Sequence, residues 1–318
     1  MSNPKVTVCI TTFNRKKSLK KSIEAVLRQD FEEYELVIVD DFSSDGTEEM
    51  IKSFYHKNSK ITYIKHDANK GLASARNTAL KNACGDFFSF CDDDDTWPHN
   101  FLSTWYKALL DKPFTKVFFM SRVSIKSVYG LEGSLKNFME LGYTPPVASQ
   151  FYSLELLKKV KGYNQKIKSG VDHDLWFEIS TINPEIFWIN SASGNPNPTP
   201  DKKRLTYSND RMLKVRNSIE IWKNKFEKNF TKSFFSKLEL NYQYNTDKKN
   251  IFSYFQQYNL LRACILFLKI NKQIFILDLV RYFKRNKITK YMYYPTFFLK
   301  NKNIKFSLIH IKHKRNEV

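Results

Sequence analysis

An apolar run that ends in four carboxylates lies at Phe87-Phe88-Ser89-Phe90-Cys91-Asp92-Asp93-Asp94-Asp95-Thr96-Trp97. Its first five residues carry no charge and include three aromatic side chains, which is typical of a strand buried on both faces. Four carboxylates follow directly. Adjacent anions repel one another, so a hard divalent cation such as Mg²⁺ or Mn²⁺ is an expected partner at this strand end. The alternative is a solvated acidic loop that caps the next helix through Asp95 or Thr96.

Strand and helix patterns alternate four times around this stretch. Apolar runs predict strands at residues 6–10, 35–40, 61–65 and 87–91. Helices are predicted after them at 18–28, in a short segment that runs through Phe54, at 71–84 and at 100–110. Short links between them predict an α/β fold with a parallel, doubly wound, Rossmann-like sheet. Ligands of such sheets bind beyond the carboxyl ends of the strands. The polar loops after Ile10, Val39 and Cys91 are therefore predicted to converge on one crevice.

The later sequence is less regular. It predicts a strand at 117–120, a β-meander or loop to Gly142, helices at 153–160 and 172–180, and a last strand at 186–189. The proline-rich run 195–200 is predicted to form neither helix nor strand ladder. We expect a main domain over residues 1–200. A basic, aromatic-rich helical region follows over 201–318, with helices predicted at 212–226, 234–244, 251–270 and 274–284.

Most of the positive charge lies in this second region. The chain has a net charge of +20, and residues 201–318 hold 27 of its 52 Lys and Arg but only 8 of its 32 Asp and Glu. Such a region is expected to bind an anionic membrane surface, nucleic acid or an acidic partner. Its aromatic residues are compatible with base stacking on RNA, with an interfacial lipid-facing helix, or with core-forming helices that have a solvated basic face.

Several classes of protein are disfavoured. Cys9, Cys84, Cys91 and Cys264 have no paired spacing, which argues against a disulfide framework or a zinc site. The chain starts without a hydrophobic signal region, so a reducing cytoplasm is expected, and no run approaches the roughly 18 apolar residues of a membrane span. The loop after the first strand contains no glycine, unlike the loops of nucleotidyltransferases and dinucleotide-dependent oxidoreductases.

Three loop motifs accompany the acidic run. They are Thr11-Thr12-Phe13-Asn14-Arg15, Val39-Asp40-Asp41-Phe42-Ser43-Ser44-Asp45-Gly46-Thr47 and Asn69-Lys70-Gly71-Leu72-Ala73-Ser74-Ala75-Arg76-Asn77. In order and spacing, the four segments resemble the signature of family 2 glycosyltransferases with the GT-A fold. The resemblance is close over residues 5 to about 112 and looser to about 192.

A nucleotide sugar needs a base pocket and a metal for its diphosphate. Asp41 could accept a hydrogen bond from a uracil N–H, framed by Thr11 and Phe13, although its alternative role is to cap a loop. The resemblance implies that Asp92 and Asp94 bind the ribose and the cation, with Asp94 and Asp95 as metal ligands, and leaves Asp93 without a binding role. It also implies a nucleotide contact for Arg76, whose alternative is an ion pair with a loop aspartate.

The acceptor base is expected later in the chain. Lys161-Gly162-Tyr163-Asn164 and Val171-Asp172-His173-Asp174-Leu175-Trp176 resemble the family region that carries the catalytic carboxylate, which falls on Asp172. Val171 and Lys161 depart from the usual Glu and Gly of that pattern. The alternative for Asp172 and Asp174 is helix capping, and His173 is expected to be a surface or supporting group rather than a metal ligand.

These expectations combine into one function. The resemblance implies an inverting, Mn²⁺- or Mg²⁺-dependent transfer of a hexose from a UDP-sugar, UDP-glucose or UDP-galactose, with Asp172 as general base. The expected acceptor is a polyprenyl-diphosphate-linked oligosaccharide or a lipopolysaccharide of surface-polysaccharide or O-antigen synthesis. The expected location is cytoplasmic, peripheral at the inner face of the cell membrane, with no nucleic-acid partner. The alternative is a non-catalytic protein that binds nucleic acid through its basic region.

Overall fold

The computed structural model describes residues 4–120, 135–140, 149–189, 191, 195–196, 210–240 and 242–243. All of them belong to one structural unit, Met1–Lys249. The helices predicted at 251–270 and 274–284, and most of the region predicted as a meander, lie outside the described residues.

Strands and helices alternate along the first half of the chain, as predicted. The strands are β1 (Val6–Thr12), β2 (Tyr34–Asp40), β3 (Ile61–Lys65), β4 (Phe87–Phe90), β5 (Asp95–Thr96), β6 (Val117–Met120), β7 (Gln150–Ser153), β8 (Ile186–Ile189) and β9 (Asn195–Pro196). The helices are α1 (Lys16–Leu27), α2 (Thr47–Tyr55), α3 (Leu72–Lys81), α4 (Phe101–Asp111), α5 (Leu135–Glu140), α6 (Leu154–Lys159), α7 (Val171–Ile182) and α8 (Arg211–Phe226). Residues 232–240 form a further helix.

Seven strands form the main sheet, in the order β3-β2-β1-β4-β7-β6-β8. β1 pairs in parallel with β2 and β4, and β2 pairs in parallel with β3. β7 was not predicted, and it is antiparallel to both β4 and β6. The α/β class and the mostly parallel sheet are therefore confirmed, with one antiparallel strand between its two parallel parts.

The sheet is buried on both faces, which explains the uninterrupted apolar runs of its strands. In β2, Leu36 and Ile38 pack on one face with α1 and α4, while Val37 and Val39 pack on the other with α3 and α7. Side chains alternate across a strand, so one short apolar run contributes to the core on both faces of the sheet.

The described part of the basic region packs onto the sheet face that carries α3 and α7. Trp222, Phe226, Phe230 and Phe235 are buried there, and the rings of the first three lie 4.9–5.2 Å from the ring of Phe177 in α7. Those side chains are therefore not available to stack on bases or to enter a lipid surface. Of the expectations for the basic region, core-forming helices fit residues 211–240.

The prediction that residues 195–200 contribute no strand ladder was wrong for the first two. Asn195 and Pro196 pair antiparallel with Thr96 and Asp95, in a two-stranded sheet of their own. Proline is tolerated there because a strand at a sheet edge does not need every N–H. This pairing lays the end of the acidic run along a segment roughly a hundred residues away in sequence.

Candidate active site

The loops that follow β1, β2 and β4 begin at one edge of the sheet. Thr12 is the register partner of Asp40, and the Asp41 N–H donates to the Thr12 carbonyl at 2.9 Å. On the other side of β1, the Cys91 N–H donates to the Cys9 carbonyl at 3.0 Å. Because β1 lies between β2 and β4, the polar loops share one crevice at the carboxyl ends of the strands.

Hydrogen bonds join the first two of these loops. The Asn14 N–H donates to Ser43 Oγ at 2.8 Å, and the Ser44 N–H donates to Asn14 Oδ1 at 2.8 Å. Phe13 and Phe42, which adjoin these bonded residues, are 43% and 50% exposed. Thr11 is half-buried at the end of β1. The structure thus leaves two aromatic rings on the outer side of the joined loops, and the sequence had singled out only Phe13.

Asp41 is buried and holds the loop before α3. Its Oδ1 accepts from the Lys70 N–H, its Oδ2 accepts from the Gly71 N–H, both at 2.8 Å, and His66 Nδ1 lies 2.7 Å from Oδ1. These contacts match the loop-capping alternative. A contact between Asp41 and a uracil base stays a prediction.

Within the acidic run, Asp93 faces the protein interior. It accepts a hydrogen bond from Thr12 Oγ1 at 2.8 Å, and Arg15 Nη1 lies 2.6 Å from its Oδ1 and 3.2 Å from Asp94 Oδ2. Burial raises the pKa of Asp93 to about 7, against the opposing effect of Arg15. The residue that had been given no binding role therefore anchors the run to β1 and α1.

Asp92 is the accessible carboxylate, with 39% of its side chain exposed, while Asp94 and Asp95 are buried. Among the described residues no three His, Cys, Asp or Glu side chains are placed to enclose a metal by themselves. Mg²⁺ at nucleotide sites is usually held by one or two carboxylates together with phosphate oxygens. The oxygen donors of the run fit a cation on those terms, as a site shared with a diphosphate.

Arg76 connects the acidic run to the residue predicted as the base. Its Nη1 donates to Asp172 Oδ1 at 2.6 Å, and its Nη2 lies 3.6 Å from Asp92 Oδ1. Only 3% of the Arg76 side chain is exposed, and the guanidinium lies over the rings of Phe90 and Tyr163 at 4.8 and 5.4 Å. The ion-pair alternative describes Arg76 here, and its nucleotide contact stays a prediction.

The first turn of α7 carries three titratable side chains in different surroundings. Asp172 is half-buried against Arg76. Burial lowers the pKa of His173 to about 4, against the opposing charge of Asp172, and its ring lies between those of Trp176 and Tyr242. Burial also raises the pKa of Asp174 to about 6, against the hydrogen bond from Trp222. His173 is thus a supporting group rather than a surface one.

Sequence reasoning did not identify several residues that shape this site. Arg15 lies inside a quoted motif, but its partners are about 80 residues away and no local pattern names them. The other residues are His66 beneath Asp41, Tyr163 beneath Arg76, and Trp222 and Tyr242 beside α7. Trp222 and Tyr242 lie in the basic region, whose aromatic spacing suits a core as well as a lipid surface.

The mostly parallel sheet, with carboxylates beyond the ends of β2 and β4, matches the predicted GT-A class of fold. The family model for glycosyl transferase family 2 matches residues 7–188, more than half of the chain, and the protein belongs to this family. The predicted family, fold and enzyme class are confirmed.

Two curated relatives have names that state their substrates. The chain is 37% identical over 105 residues to the UDP-Glc:alpha-D-GlcNAc-diphosphoundecaprenol beta-1,3-glucosyltransferase WfgD of Escherichia coli, covering 33% of this chain and 41% of that protein. It is 35% identical over 102 residues to the GalNAc(5)-diNAcBac-PP-undecaprenol beta-1,3-glucosyltransferase of Campylobacter jejuni, covering 32% and 33%. The chain thus spans less than half the length of either relative.

A solved structure supports the fold. The mannosyltransferase PcManGT from Pyrobaculum calidifontis, in complex with GDP-Man and Mn²⁺, superposes with a TM-score of 0.57 at 18% identity, covering 85% of this chain and 75% of that one. This likeness concerns the GT-A architecture alone.

Proposed function

We propose that this glycosyltransferase transfers a hexose from a UDP-sugar, UDP-glucose or UDP-galactose, to a lipid-diphosphate-linked glycan with inversion at the anomeric carbon. The observation that carries the proposal is the span of Arg76, which contacts both Asp172 and Asp92. Asp172, the proposed base for the acceptor, and Asp92, the proposed carboxylate for the donor, are thus bridged by a single side chain. The names of the relatives support the polyprenyl-diphosphate acceptor and, for one of them, the UDP-glucose donor.

Asp172 is the proposed general base. Its Oδ1 is engaged by Arg76, so the proton of the acceptor hydroxyl would pass to Oδ2. As the hydroxyl oxygen loses this proton it bonds to the anomeric carbon, and the bond from that carbon to the diphosphate oxygen breaks on the opposite face. UDP leaves with the bonding electrons, so an α-linked donor gives a β-glycoside.

The carboxylates of the acidic run are proposed to hold the donor. Asp92, the exposed one, would meet the ribose, with Asp94 and Asp95 as the cation ligands. A Mn²⁺ or Mg²⁺ ion held there would stabilise the negative charge of the departing diphosphate. Arg15 lies 3.2 Å from Asp94 Oδ2, so it would have to share that oxygen with the ion.

The proposed acceptor implies that the enzyme works at a membrane. No helix among the described residues has the length and hydropathy needed to cross a bilayer. A polyprenyl-linked acceptor would place the enzyme at the inner face of the cell membrane as a peripheral protein, in the synthesis of a surface glycan such as O-antigen or lipopolysaccharide. The excess of Lys and Arg in residues 201–318 favours contact with anionic lipid.

The test is a donor and acceptor panel. Purified full-length protein is mixed with Mn²⁺, a short-chain alkyl diphosphate of N-acetylglucosamine, and UDP-glucose, UDP-galactose, their N-acetyl forms or GDP-mannose. We expect nucleotide release with one UDP-hexose and a β-linked product by NMR. Release only with GDP-mannose, or an α-linked product, would contradict the proposal.

Two aspartates at opposite ends of β4 give a matched control. Asp92 follows the strand, whereas Asp86 precedes it and forms an exposed ion pair with Lys5. Asp92→Asn should lower turnover by about 10- to 1,000-fold, a usual range for losing a group that stabilises the transition state. Asp86→Asn should leave turnover within about twofold. Equal effects of the two substitutions on turnover would mean that the acidic run takes no part in the reaction.

A further inference from the structure

The helix that carries Asp172 begins without a side-chain cap of its own. Gly170 occupies the N-cap position of α7 with φ 77°, and no side-chain hydrogen bond caps the first turn. By contrast, Ser153 caps α6 by accepting from the Leu156 N–H. An uncapped first turn frays readily, because its N–H groups have no partner within the helix. Asp172 is therefore held by contacts from outside α7, of which the bond from Arg76 is one.

Three hydrogen bonds from residues 218–242 reach the segment around Asp172. Trp222 Nε1 donates to Asp174 Oδ1, and Ser218 Oγ donates to the Ser169 carbonyl, both at 2.8 Å. Tyr242 Oη lies 2.8 Å from His173 Nδ1. The bonded residues flank Asp172 on both sides in sequence, while Asp172 itself bonds to Arg76 on α3.

Close packing accompanies these bonds. A Cβ atom on Gly170 would lie 2.7 Å from the Trp222 ring and 2.7 Å from Tyr242 Oη. Both side chains therefore stand directly against the backbone where α7 begins. Trp222 is fully buried, and the Arg211 guanidinium lies 5.8 Å from the centre of the Tyr242 ring. This packing leaves little room for the first turn to shift.

We propose that Trp222 and Tyr242 are positioning residues for the general base, acting through the first turn of α7 to hold Asp172 at the distance that transfer requires. The inference rests on the proposed function, because it assigns Asp172 the role of base. Misplacing a catalytic group by about 1 Å can cost roughly 100-fold in rate. The basic region would then contribute to catalysis as well as to any binding of acceptor or membrane.

Conservative substitutions separate positioning from folding. Trp222→Phe and Tyr242→Phe keep an aromatic ring, fully buried at 222 and partly buried at 242, and remove one hydrogen-bonding group each. Trp105→Phe is the control, since Trp105 is equally buried on the other face of the sheet and its Nε1 has no hydrogen-bond partner among the described residues. With UDP-glucose and the alkyl diphosphate acceptor, we expect kcat to fall about 10- to 100-fold in the first two variants. The KM for donor should stay within about twofold, and the control should keep wild-type kcat.

A double-substitution series shows whether the effect passes through Asp172. In an Asp172→Asn background, Trp222→Phe and Tyr242→Phe should lower the residual rate by less than about twofold, because the group they position is already lost. A full 10-fold further loss would overturn the inference and leave the proposed function intact. Parallel losses of donor affinity in the single variants would also overturn it.

Hydrogen exchange tests the inference without a substrate. Amides of residues 171–175 should exchange at least about fivefold faster in Trp222→Phe and Tyr242→Phe than in wild type, while amides of α3 keep their rates. Unchanged exchange at 171–175 overturns the positioning role even if no donor is turned over. Failure of every donor with wild-type protein, combined with faster exchange, would instead count against the proposed function alone.

Discussion

The two halves of the candidate site are held in different ways. The acidic run is fixed from the sheet side, where Arg15 and Thr12 bond Asp93 and the backbone of β4 continues into the run. Asp172 is instead placed by a helix that relies on Trp222 and Tyr242, contributed by segments after the family-matched region. The proposed donor half, Asp92 to Asp95, is therefore held by residues of the family-matched region, and the proposed acceptor half, Asp172, depends on side chains outside it.

This difference suggests which properties can vary separately. Buried, charge-paired aspartates at the end of a sheet strand keep their positions when a residue of a distant helix is substituted. A base held through one glycine and two aromatic side chains moves when any of them is altered. We therefore expect substitutions in α8 to change the position of Asp172 while the geometry of the acidic run is kept.

Replacing the proposed base should lower turnover more than any other substitution. Asp172→Asn keeps an oxygen for Arg76 but cannot take a proton, so turnover should fall by about 100- to 10,000-fold while UDP affinity changes by less than about threefold. Glu178→Gln on the same helix, where the carboxylate pairs with Lys225, is the control and should keep wild-type turnover. Calorimetry with UDP and a coupled assay of UDP release measure the two quantities. A joint loss of affinity and turnover would mean that the halves are not separate.

The same division explains what the sequence could predict. Alternating apolar runs and short links predict that the carboxyl ends of β1 to β4 lie on one side of the sheet. The loop motifs place Asp41 and Asp92 at those ends without any structure. The pairing of Arg76 with Asp172 joins residues 96 apart, and it depends on the path of a chain that includes the unpredicted β7. The role of Trp222 was hidden because an amphipathic basic helix has the same spacing whether its apolar face meets lipid or a core.

A stability comparison follows from two glycines with the same backbone shape. Gly170 and Gly46 are both left-handed N-caps, of α7 and α2, with φ 77° and 82°. A Cβ at Gly46 would meet flexible side chains, Lys16 Nζ at 3.0 Å and Glu49 Oε2 at 3.7 Å, whereas at Gly170 it would meet the Trp222 ring at 2.7 Å. Gly46→Ala should therefore cost about 1 to 2 kcal/mol of unfolding free energy from the backbone alone, and Gly170→Ala about 3 kcal/mol or more.

Urea denaturation of both variants measures this difference. Equal costs would mean that Trp222 and Tyr242 yield without resistance, and the acceptor half would then be less tightly packed than the structure indicates. Addition of UDP should protect the wild type and both variants by a similar increment, since neither glycine is a proposed donor ligand.

A smaller effect concerns pH. The folded-state pKa of Asp174 is about 6, above its ordinary value of 3.8, because burial disfavours the charge. The folded protein therefore binds more protons than the unfolded chain between these values, and this group makes stability fall as pH rises from about 4 to about 6. Asp174→Asn removes the titration and keeps an oxygen for Trp222.

The quantity to compare is the difference in unfolding free energy between wild type and Asp174→Asn at pH 4 and pH 7. Wild type should lose about 2 to 3 kcal/mol relative to the variant over this interval, following the shift between the two pKa values. His173, Glu178 and Lys225 are present in both proteins, so their own titrations cancel to first order. Parallel pH profiles would show that Asp174 is hydrated and that Trp222 packs against it only loosely.

A small change in unfolding free energy is expected at Phe42, beside the proposed donor half. Phe42 has φ 74°, a left-handed conformation that costs a residue with a Cβ about 1 to 2 kcal/mol, and half of it is exposed. Phe42→Gly should relieve this strain and gain up to about 1 kcal/mol of unfolding free energy after the entropic cost of glycine. Phe114, 80% exposed and not among the residues with positive φ, is the control, and Phe114→Gly should destabilise by about 0.5 to 1 kcal/mol. Opposite signs in urea denaturation would locate the strain in the Phe42 backbone, beside Asp41. Destabilisation by both substitutions would mean that the Phe42 ring contributes packing that outweighs its strain, and the donor half would then depend on side-chain contacts as the acceptor half does.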